Sequence, residues 1–410
     1  MNRKERLILF ILSGLNFTHI LDFMIMMPLG NYLMPSLGIS PWLFTLLVSA
    51  YSLSAFVSGV AAALIVDRFD RKKVLIVCYL GFLAGTLACG LANTYGLLLA
   101  SRIFAGIFGG VIGAQIMAIV ADLFSYERRG AAMGSVMSSF AIASIIGVPF
   151  SLYLTNMFHD DWHIPFLLVV AVGIVVTPFL LKIIPPVNAH ILHVSERNKP
   201  KEIIRTILIT PAQRSALIFS CLLMMGHFLI IPFINPYMEF NKGFSKDLTP
   251  MIYLVGGAAS LIAAFYLGRL SDRKGKLVVF SFSVFLSLFM VLLITKMPDV
   301  PFSVVLAFFA IWFVFATGRA VTAQAMISEV VPPAQRGSFM SFNGSVQQLG
   351  TGMASIVAGF IIIKDKSGSI RHFDWLGYLS IVVLAGTLFL GRFIFTKMER
   401  QRLARTTITH

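Results

Sequence analysis

The chain has 410 residues, of which 57% are hydrophobic and 12% are charged, and its formal net charge is +15. A soluble domain carries about 25% charged residues, so this chain has too little polar surface to form a water-soluble globule. Disordered, collagen-like and disulfide-rich secreted proteins are excluded as well. The three cysteines lie in apolar segments without metal-ligand spacing, so we expect no metal site and no cofactor.

Twelve apolar stretches are long enough to cross a bilayer, because about 20 helical residues span about 30 Å of hydrocarbon. The first follows a basic N-terminus and lacks a small-residue cleavage site, so we interpret it as an uncleaved helix. The predicted spans are Leu7–Leu33, Leu43–Val66, Val74–Leu91, Leu97–Val120, Ala131–Leu154, Ile164–Ile184, Ser215–Met238, Leu248–Leu270, Leu277–Thr295, Pro301–Ser328, Ser338–Ile363 and Trp375–Phe395.

The basic residues favour one side of this predicted bundle. Of the 33 Lys and Arg residues, 24 fall in the two tails and in the loops on the same side, against six on the other side. Cytoplasmic loops are enriched in Lys and Arg, so we expect both termini in the cytoplasm. We expect a multi-pass plasma-membrane protein, located in the inner membrane if the source is bacterial. Basic residues spread over loops also argue against nucleic-acid binding.

A polar segment over residues 185–214 divides the twelve spans into six and six. It predicts an N-terminal six-helix bundle over 1–184, a cytoplasmic linker over 185–214, a C-terminal six-helix bundle over 215–396 and a basic cytoplasmic tail over 397–410. The linker is either a solvated connection or, in part, an amphipathic helix on the membrane surface.

The two halves also repeat each other in sequence. Pro28 and Asn31 recur as Pro232 and Asn235, at nearly the same offset that separates the other matched motifs. Six helices per repeat give both halves the same orientation about an axis along the membrane normal, an architecture that secondary transporters use.

The loops after the second and eighth predicted spans carry a shared pattern. The later loop reads Gly268-Arg269-Leu270-Ser271-Asp272-Arg273-Lys274-Gly275-Lys276, and the earlier one has Asp67, Arg68 and Arg71 at matching places. These loops resemble the signature loop of the major facilitator superfamily, although the first copy has Ala63 and Asp70 where the pattern has glycine.

This resemblance implies an all-α integral membrane fold of twelve transmembrane helices, in two six-helix bundles related by a pseudo-two-fold axis along the membrane normal. In the family the loop latches the outward-facing state, a role that falls here on Asp67, Arg71, Asp272 and Arg273. The alternative is that these are simply basic cytoplasmic loops.

Two further patterns resemble the drug/proton antiporter and sugar-efflux branch of the family. They are Arg102 followed by Gly106 in the fourth span, and a degenerate Gly-Pro motif near Gly147 and Pro149 in the fifth. The resemblance implies a secondary active transporter that moves a small solute by alternating access, with proton-coupled efflux as the leading mode and proton-coupled uptake as the alternative. An integral membrane enzyme is disfavoured, because HExxH, GxSxG and paired intramembrane carboxylates are absent from the sequence. We expect a monomer, whose partners are a small-molecule substrate, protons and the lipid bilayer.

Polar residues within spans are costly and are therefore candidate site residues. Asp22 is the only acidic residue deep in a predicted span, near the bilayer middle, and His19 lies one turn before it. We predict that Asp22 and His19 couple transport to protons; alternatively, Asp22 only orders the first helix through hydrogen bonds. The predicted substrate-cavity residues are Arg102, His227, Arg319, Asn343 and Gln347. Alternatively, Arg102 snorkels to the outer interface, His227 is a packing residue and the amides cross-link helices.

Overall fold

The computed structural model describes residues 3–188, 209–332, 336–365 and 368–408. Twelve long helices make up most of these ranges. The first six are α1 (Arg3–Ile25), α2 (Pro41–Ile65), α3 (Arg71–Gly90), α4 (Tyr95–Leu123), α5 (Tyr126–Ile142, continuing through a π-helical turn Ala143–Gly147 into Val148–Met157) and α6 (Ile164–Ile183). The second six are α7 (Pro211–Phe228), α8 (Thr249–Lys274), α9 (Lys276–Thr295), α10 (Phe302–Ser328), α11 (Arg336–Ile361) and α12 (Phe373–Ile408).

Among the described residues, eleven helices are long and apolar enough to cross a membrane. The remaining long helix, α11, has 26 residues, but its Gly, Ser, Asn and Gln residues lower its mean hydropathy. It packs between α2 and α7, which lets a polar helix stay in the bundle. The predicted all-α membrane fold is confirmed, with α11 as the twelfth helix.

Side-chain caps set the start of several helices. Before α2, Ser40 Oγ accepts the backbone N–H of Leu43 at 3.3 Å. Before α3, Asp70 Oδ1 accepts the backbone N–H groups of Lys72 and Lys73 at 2.8 and 3.2 Å. Such caps satisfy donors that have no partner within the helix. Asp70 therefore has a clear local role at a position where the family pattern has glycine.

The first helix of each repeat is shorter than the sequence predicts. The predicted span Leu7–Leu33 is interrupted, because α1 ends at Ile25 and a separate short helix occupies Gly30–Ser36. In the second repeat α7 ends at Phe228. The chain then forms short 3-10, α-helical and π-helical turns as far as Asn241. Pro28 and Pro232 lie in the two interruptions, where proline removes a backbone donor and breaks the helix.

The two halves pack their helices in matching pairs. In the first half α1 packs on α5 and α6, α2 on α4, and α3 on α4 and α6. In the second half α7 packs on α11 and α12, α8 on α10, and α9 on α10 and α12. Two helix pairs join the halves, α2 with α11 and α5 with α8. The operation that matches the halves converts one of these pairs into the other. This correspondence agrees with two bundles related by a pseudo-two-fold axis.

Glycines allow α2 and α11 to approach closely. A Cβ at Gly59 would lie 2.4 Å from Ser345 Oγ, and a Cβ at Gly359 would lie 1.9 Å from Thr45 Oγ1. Small residues at such crossings are typical of membrane helices that pack tightly.

Between α11 and α12 the chain forms a short antiparallel hairpin, Ile363–Lys364 with Ile370–Arg371, which the sequence did not predict. The Asn241 side chain holds it by bonding the backbone N–H and C=O of Ile370 at 2.9 and 2.8 Å. Most of the linker, for which the sequence left a solvated connection or a surface helix open, falls on residues 189–208, which lie outside the described ranges.

A glycine between α3 and α4 gives a test of this packing. A Cβ at Gly85 would lie 2.7 Å from the Ala105 backbone nitrogen, which cannot move aside as a side chain can. We expect Gly85→Ala to destabilise the protein by about 1–3 kcal/mol, seen as a lower Tm in detergent. Gly386→Ala on α12, where nothing lies within 4 Å of the added Cβ, is the matched control. An unchanged Tm in Gly85→Ala would contradict the close α3–α4 contact.

Candidate functional site

A fully buried ion pair joins α1 to α4. Arg102 Nη1 donates to Asp22 Oδ2 at 2.8 Å, and both side chains are at most 1% exposed. Thr86 Oγ1, on α3, donates to the other oxygen of the same carboxylate at 3.2 Å. A buried charge is tolerated only when it is paired and hydrogen-bonded, so these three residues tie three helices together at one point. We call Asp22, Thr86 and Arg102 the acid cluster.

Aromatic rings surround the acid cluster. The guanidinium carbon of Arg102 lies 4.4 Å from the centre of the Tyr51 ring, a cation–π distance. The ring of His19 packs against Tyr51 at 6.5 Å and against Phe82 at 5.8 Å. His19 Nδ1 and the Tyr51 hydroxyl are buried without a hydrogen-bond partner among the described residues. His19 therefore lies beside Asp22, connected to the ion pair through Tyr51.

One expectation about this region is corrected, and one alternative interpretation is excluded. Asp22 is not near the middle of the bundle, because its partners on α3 and α4 lie roughly 6 to 11 Å from the helix ends at 1.5 Å per residue. The acid cluster thus occupies the half of the bundle away from the N-terminus. Arg102 does not snorkel outward, since its guanidinium turns inward to a carboxylate and is 1% exposed.

A second buried cluster lies between α7 and α10. Arg319 Nη2 lies 2.7 Å from His227 Nδ1, and the Trp312 ring lies 5.2 Å from the His227 ring at an interplanar angle of 32°. Arginine has donors only, so Nδ1 accepts and the imidazole is neutral with its proton on Nε2. We call His227, Trp312 and Arg319 the arginine cluster. Arg319 is 2% exposed and has no carboxylate partner among the described residues.

The amide residues of α11 have separate surroundings. Gln347 Nε2 donates to Ser220 Oγ at 3.2 Å and to Gln324 Oε1 at 3.4 Å, which links α11 to α7 and α10. Gln347 therefore cross-links helices, as the alternative interpretation of the sequence had it. Asn343, about one turn away, is fully buried, and neither atom of its amide has a partner among the described residues.

A row of aromatic rings connects the two clusters across the halves. Phe23 on α1 contacts Tyr51 at 6.0 Å and Phe228 on α7 at 5.8 Å. Phe228 in turn contacts His227 at 5.2 Å. This aromatic row, Tyr51–Phe23–Phe228–His227, begins beneath one buried arginine and ends beside the other. The two clusters therefore share the interface between the bundles.

The halves also meet at the end of the bundle away from the chain termini. Three hydrogen bonds cross there: the Asn31 amide with the Glu239 carboxylate, Lys246 Nζ with Asp160 Oδ2 at 2.7 Å, and Asn156 Nδ2 with Asp247 Oδ1 at 2.9 Å. We call these six residues the rim contact. Within the described ranges, the hydrogen bonds between the halves all lie at this end. The described conformation is therefore closed at the rim.

Tyr32 strengthens the rim contact. Its ring lies 4.9 Å from Lys246 Nζ, and its hydroxyl donates to Asn156 Oδ1 at 2.5 Å. Burial and the nearby carboxylates, Asp160 first among them, raise the pKa of the Tyr32 hydroxyl well above its ordinary value. The phenol therefore remains protonated and keeps its role as a donor.

The family model of the Major Facilitator Superfamily matches residues 12–321 and, in a second match, residues 216–408. The chain belongs to the Major Facilitator Superfamily. It is a multi-pass membrane transporter and not an enzyme, as the resemblance of its loops implied.

Similar proteins span nearly the whole chain. It is 23% identical over 378 residues to the uncharacterized MFS-type transporter YceJ of Bacillus subtilis (strain 168), covering 91% of each chain. It is 22% identical over 355 residues to a probable sugar efflux transporter of Helicobacter pylori (strain G27), covering 87% of this chain and 86% of the relative.

Two solved transporters share the architecture. The nucleoside transporter NupG superposes with a TM-score of 0.76 at 13% identity, covering 96% of this chain and 100% of NupG. A bacterial homolog of the human lysosomal transporter Spinster, in an inward-facing and unoccupied conformation, superposes with a TM-score of 0.75 at 14% identity, covering 97% and 98%. At these identities the likeness shows the fold alone.

The signature loops of this transporter differ between the repeats. Arg71 Nε donates to Asp122 Oδ2 at the end of α4 at 2.7 Å, and the Arg71 backbone N–H donates to Val187 at 3.0 Å. The side chain of Asp67 lies outside the described part of the structure. Asp272 and Arg273 are exposed at the end of α8. The two copies therefore have unequal surroundings in this conformation.

Sequence reasoning missed Thr86 and Trp312 of the two clusters, Tyr51 beside the acid cluster and Glu239 of the rim contact. Trp312 is one of four tryptophans and lies within a predicted span, a signal that could have singled it out. Glu239 lies one residue beyond the predicted end of the seventh span, so a small boundary error hid it. Tyr51 and Thr86 carry no such signal, because hydroxyl side chains are common in membrane helices.

Removing one charge of the acid cluster should destabilise the transporter more than removing both charges together. Asp22→Asn leaves Arg102 as a buried charge without a counter-charge, so we expect a loss of about 3–5 kcal/mol. The double variant Asp22→Asn/Arg102→Gln should recover most of that loss. Unfolding in detergent of both single variants and the double variant gives the coupling energy. Strictly additive losses would contradict a direct interaction between the two side chains.

Proposed function

We propose that this transporter exports a small solute in exchange for protons by alternating access, and that Asp22 carries the proton. The observation that carries the proposal is the fully buried Asp22–Arg102 pair, which is the one buried carboxylate–guanidinium contact deep within the described helices. A relative described as a probable sugar efflux transporter supports export.

Protonation of Asp22 would couple directly to helix packing. It removes the negative charge that compensates Arg102, and an uncompensated buried charge is strongly destabilising. Arg102 must then find another partner or reach water, which means that α1 and α4 shift relative to each other. His19, beside Tyr51, offers a second group that can exchange a proton close to the pair.

The distribution of basic residues supports termini on the cytoplasmic side of a bacterial inner membrane. In that orientation the rim contact closes the external face. The bundles over 1–184 and 215–396 would then rock against each other, with the aromatic row at their interface. One chain contains both bundles, which supports a monomer as the functional unit.

The test uses purified protein in liposomes with pentoses, hexoses and their sugar acids as candidate solutes. With an acidic interior, proton antiport should accumulate a transported solute inside, whereas an uptake symporter needs an acidic exterior to do so. We expect Asp22→Asn to abolish proton-driven accumulation while counterflow of labelled solute, which needs no net proton movement, survives in part.

Asp299→Asn is the matched control, because it makes the same chemical change at a carboxylate that is 95% exposed. It should accumulate solute like the unmodified protein. Both variants are compared per folded molecule, measured by size-exclusion chromatography. Accumulation by Asp22→Asn with unaltered pH dependence would overturn the role of Asp22.

The signature loops are proposed to latch the outward-facing state through Asp67 and Arg71, with Asp272 and Arg273 as the second copy. A carboxylate near a helix N-terminus contributes about 0.3–1 kcal/mol, which is enough to shift a balanced equilibrium. We expect Asp67→Asn/Asp272→Asn to slow transport several-fold while the protein still inserts and folds. Full transport in this double variant would exclude the latch.

A further inference from the structure

We propose that the arginine cluster binds the carboxylate of an organic anion and that the exported solute is therefore an acid. The proposal extends the proposed function, because it takes the bound anion to be the transported solute. It starts from the charges that the fold buries.

Four charged side chains are buried among the described residues: Asp22, Arg71, Arg102 and Arg319. Arg102 is compensated by Asp22, and Arg71 by Asp122. Arg319 differs from the others, because its contact is with a neutral imidazole, which adds no negative charge. A buried guanidinium without a counter-charge is costly, so its position favours an anion that arrives from outside the protein.

The repeats make this difference clearer. Asp22 and His227 occupy nearly equivalent places, each in the last turn before the interruption of the first helix of its half. Each contacts an arginine on the fourth helix of the same half, Arg102 or Arg319. The first half supplies its own carboxylate, and the second half has a histidine there. The missing carboxylate is the group that we expect the solute to bring.

The unpaired atoms of the arginine cluster agree with this chemistry. Arg319 Nη1 and Trp312 Nε1 are both buried without a hydrogen-bond partner among the described residues. Both atoms are donors and neither can accept. A carboxylate is an acceptor with two oxygens, so it complements a guanidinium and an indole N–H, whereas a neutral hydroxyl offers less charge.

The neighbouring rings indicate what else the solute carries. Phe228 and Phe313 flank His227 and Trp312 at 5.2 Å each, and the aromatic row leads from there toward the acid cluster. Flat or apolar faces pack well on such rings. The site therefore fits a small acid whose body is a sugar ring or an aromatic ring.

The experiment compares acids with neutral partners of the same skeleton. The probes are galacturonate against galactose and benzoate against benzamide, with inorganic phosphate as a separate anion. Binding is followed by the rise in Tm of the purified protein and by titration. We expect an acid to stabilise the protein where its neutral partner does not. Arg319→Gln should lower the binding affinity for that acid by about 10- to 100-fold, as expected for the loss of a charged hydrogen bond.

Two further variants separate binding from folding. Arg319→Lys keeps the charge without the planar fork and should bind with intermediate affinity. Arg392→Gln, which removes an exposed arginine of α12, should bind like the unmodified protein. Without ligand, Arg319→Gln should raise the Tm because it removes an uncompensated buried charge, whereas Arg102→Gln should lower it.

Several results would overturn the proposal. They are equal stabilisation by acid and neutral partner, no stabilisation by either acid, an acid effect that persists in Arg319→Gln, or an Arg319-dependent effect of phosphate alone. Proton flux with neutral sugars and no acid preference would overturn the inference and leave the proposed function intact. Acid binding that depends on Arg319, together with an absence of proton-coupled transport, would support the inference and overturn the proposed function.

Discussion

A charge in the apolar interior of a membrane protein needs a counter-charge and hydrogen bonds, and this constraint organises the centre of the transporter. The carboxylate of Asp22 has both, from Arg102 and Thr86. These partners come from α4 and α3. The contacts of one carboxylate therefore fix how three helices of the first bundle lie against one another. Tyr51 adds α2 through its ring beneath the guanidinium. The side chains of four helices of the first bundle thus meet around the Asp22–Arg102 pair, near the end of α1.

The same backbone plan in the second bundle carries different chemistry. The helix pairs match one for one, and both first helices are interrupted at a proline. Each half has a buried contact between its first and fourth helices, but Arg102 lies near the start of α4 and Arg319 in the second half of α10. In the second half the arginine contacts the neutral ring of His227 and not a carboxylate. The two halves of such a repeat must pack their helices in the same way, but they need not carry the same buried charges. The two halves can therefore specialise, with a proton on one side and a solute on the other in the functions proposed above.

Much of the fold is predictable from local sequence, and most of the site is not. Hydrophobic length located twelve helices, and recurring motifs such as Pro28 and Pro232 predicted the repeat, because both signals are carried by short segments. The α11 helix tolerates a less apolar sequence than the other helices because it packs between α2 and α7. The pairing of Asp22 with Arg102 joins residues 80 positions apart. Whether an arginine snorkels or turns inward depends on a carboxylate that only the folded bundle brings near.

The interruption of α1 explains the error in the depth of Asp22. Apolar composition continues to Leu33 and predicts one long helix, but Pro28 removes a backbone donor within it. The helix ends at Ile25 instead, and the following residues form part of the rim. Asn31 then reaches Glu239 of the other half. Because of this break, the first predicted span contributes to the acid cluster through α1 and to the rim contact through the short helix that follows it.

The rim contact and the acid cluster differ in what it takes to break them, and the proposed alternating access depends on that difference. Lys246 and Asp160 are 30% and 48% exposed, and exposed pairs of this kind contribute about 0–1 kcal/mol. Water can replace these two partners as the rim opens, so the Lys246–Asp160 bond adds little to the barrier to opening. The acid cluster is fully buried and tightly paired, and its rupture is costly unless a proton or another partner intervenes. A weak polar rim above a strongly paired interior lets the bundles separate at the surface readily. In the mechanism proposed above, the rearrangement around Arg102 then requires protonation of Asp22.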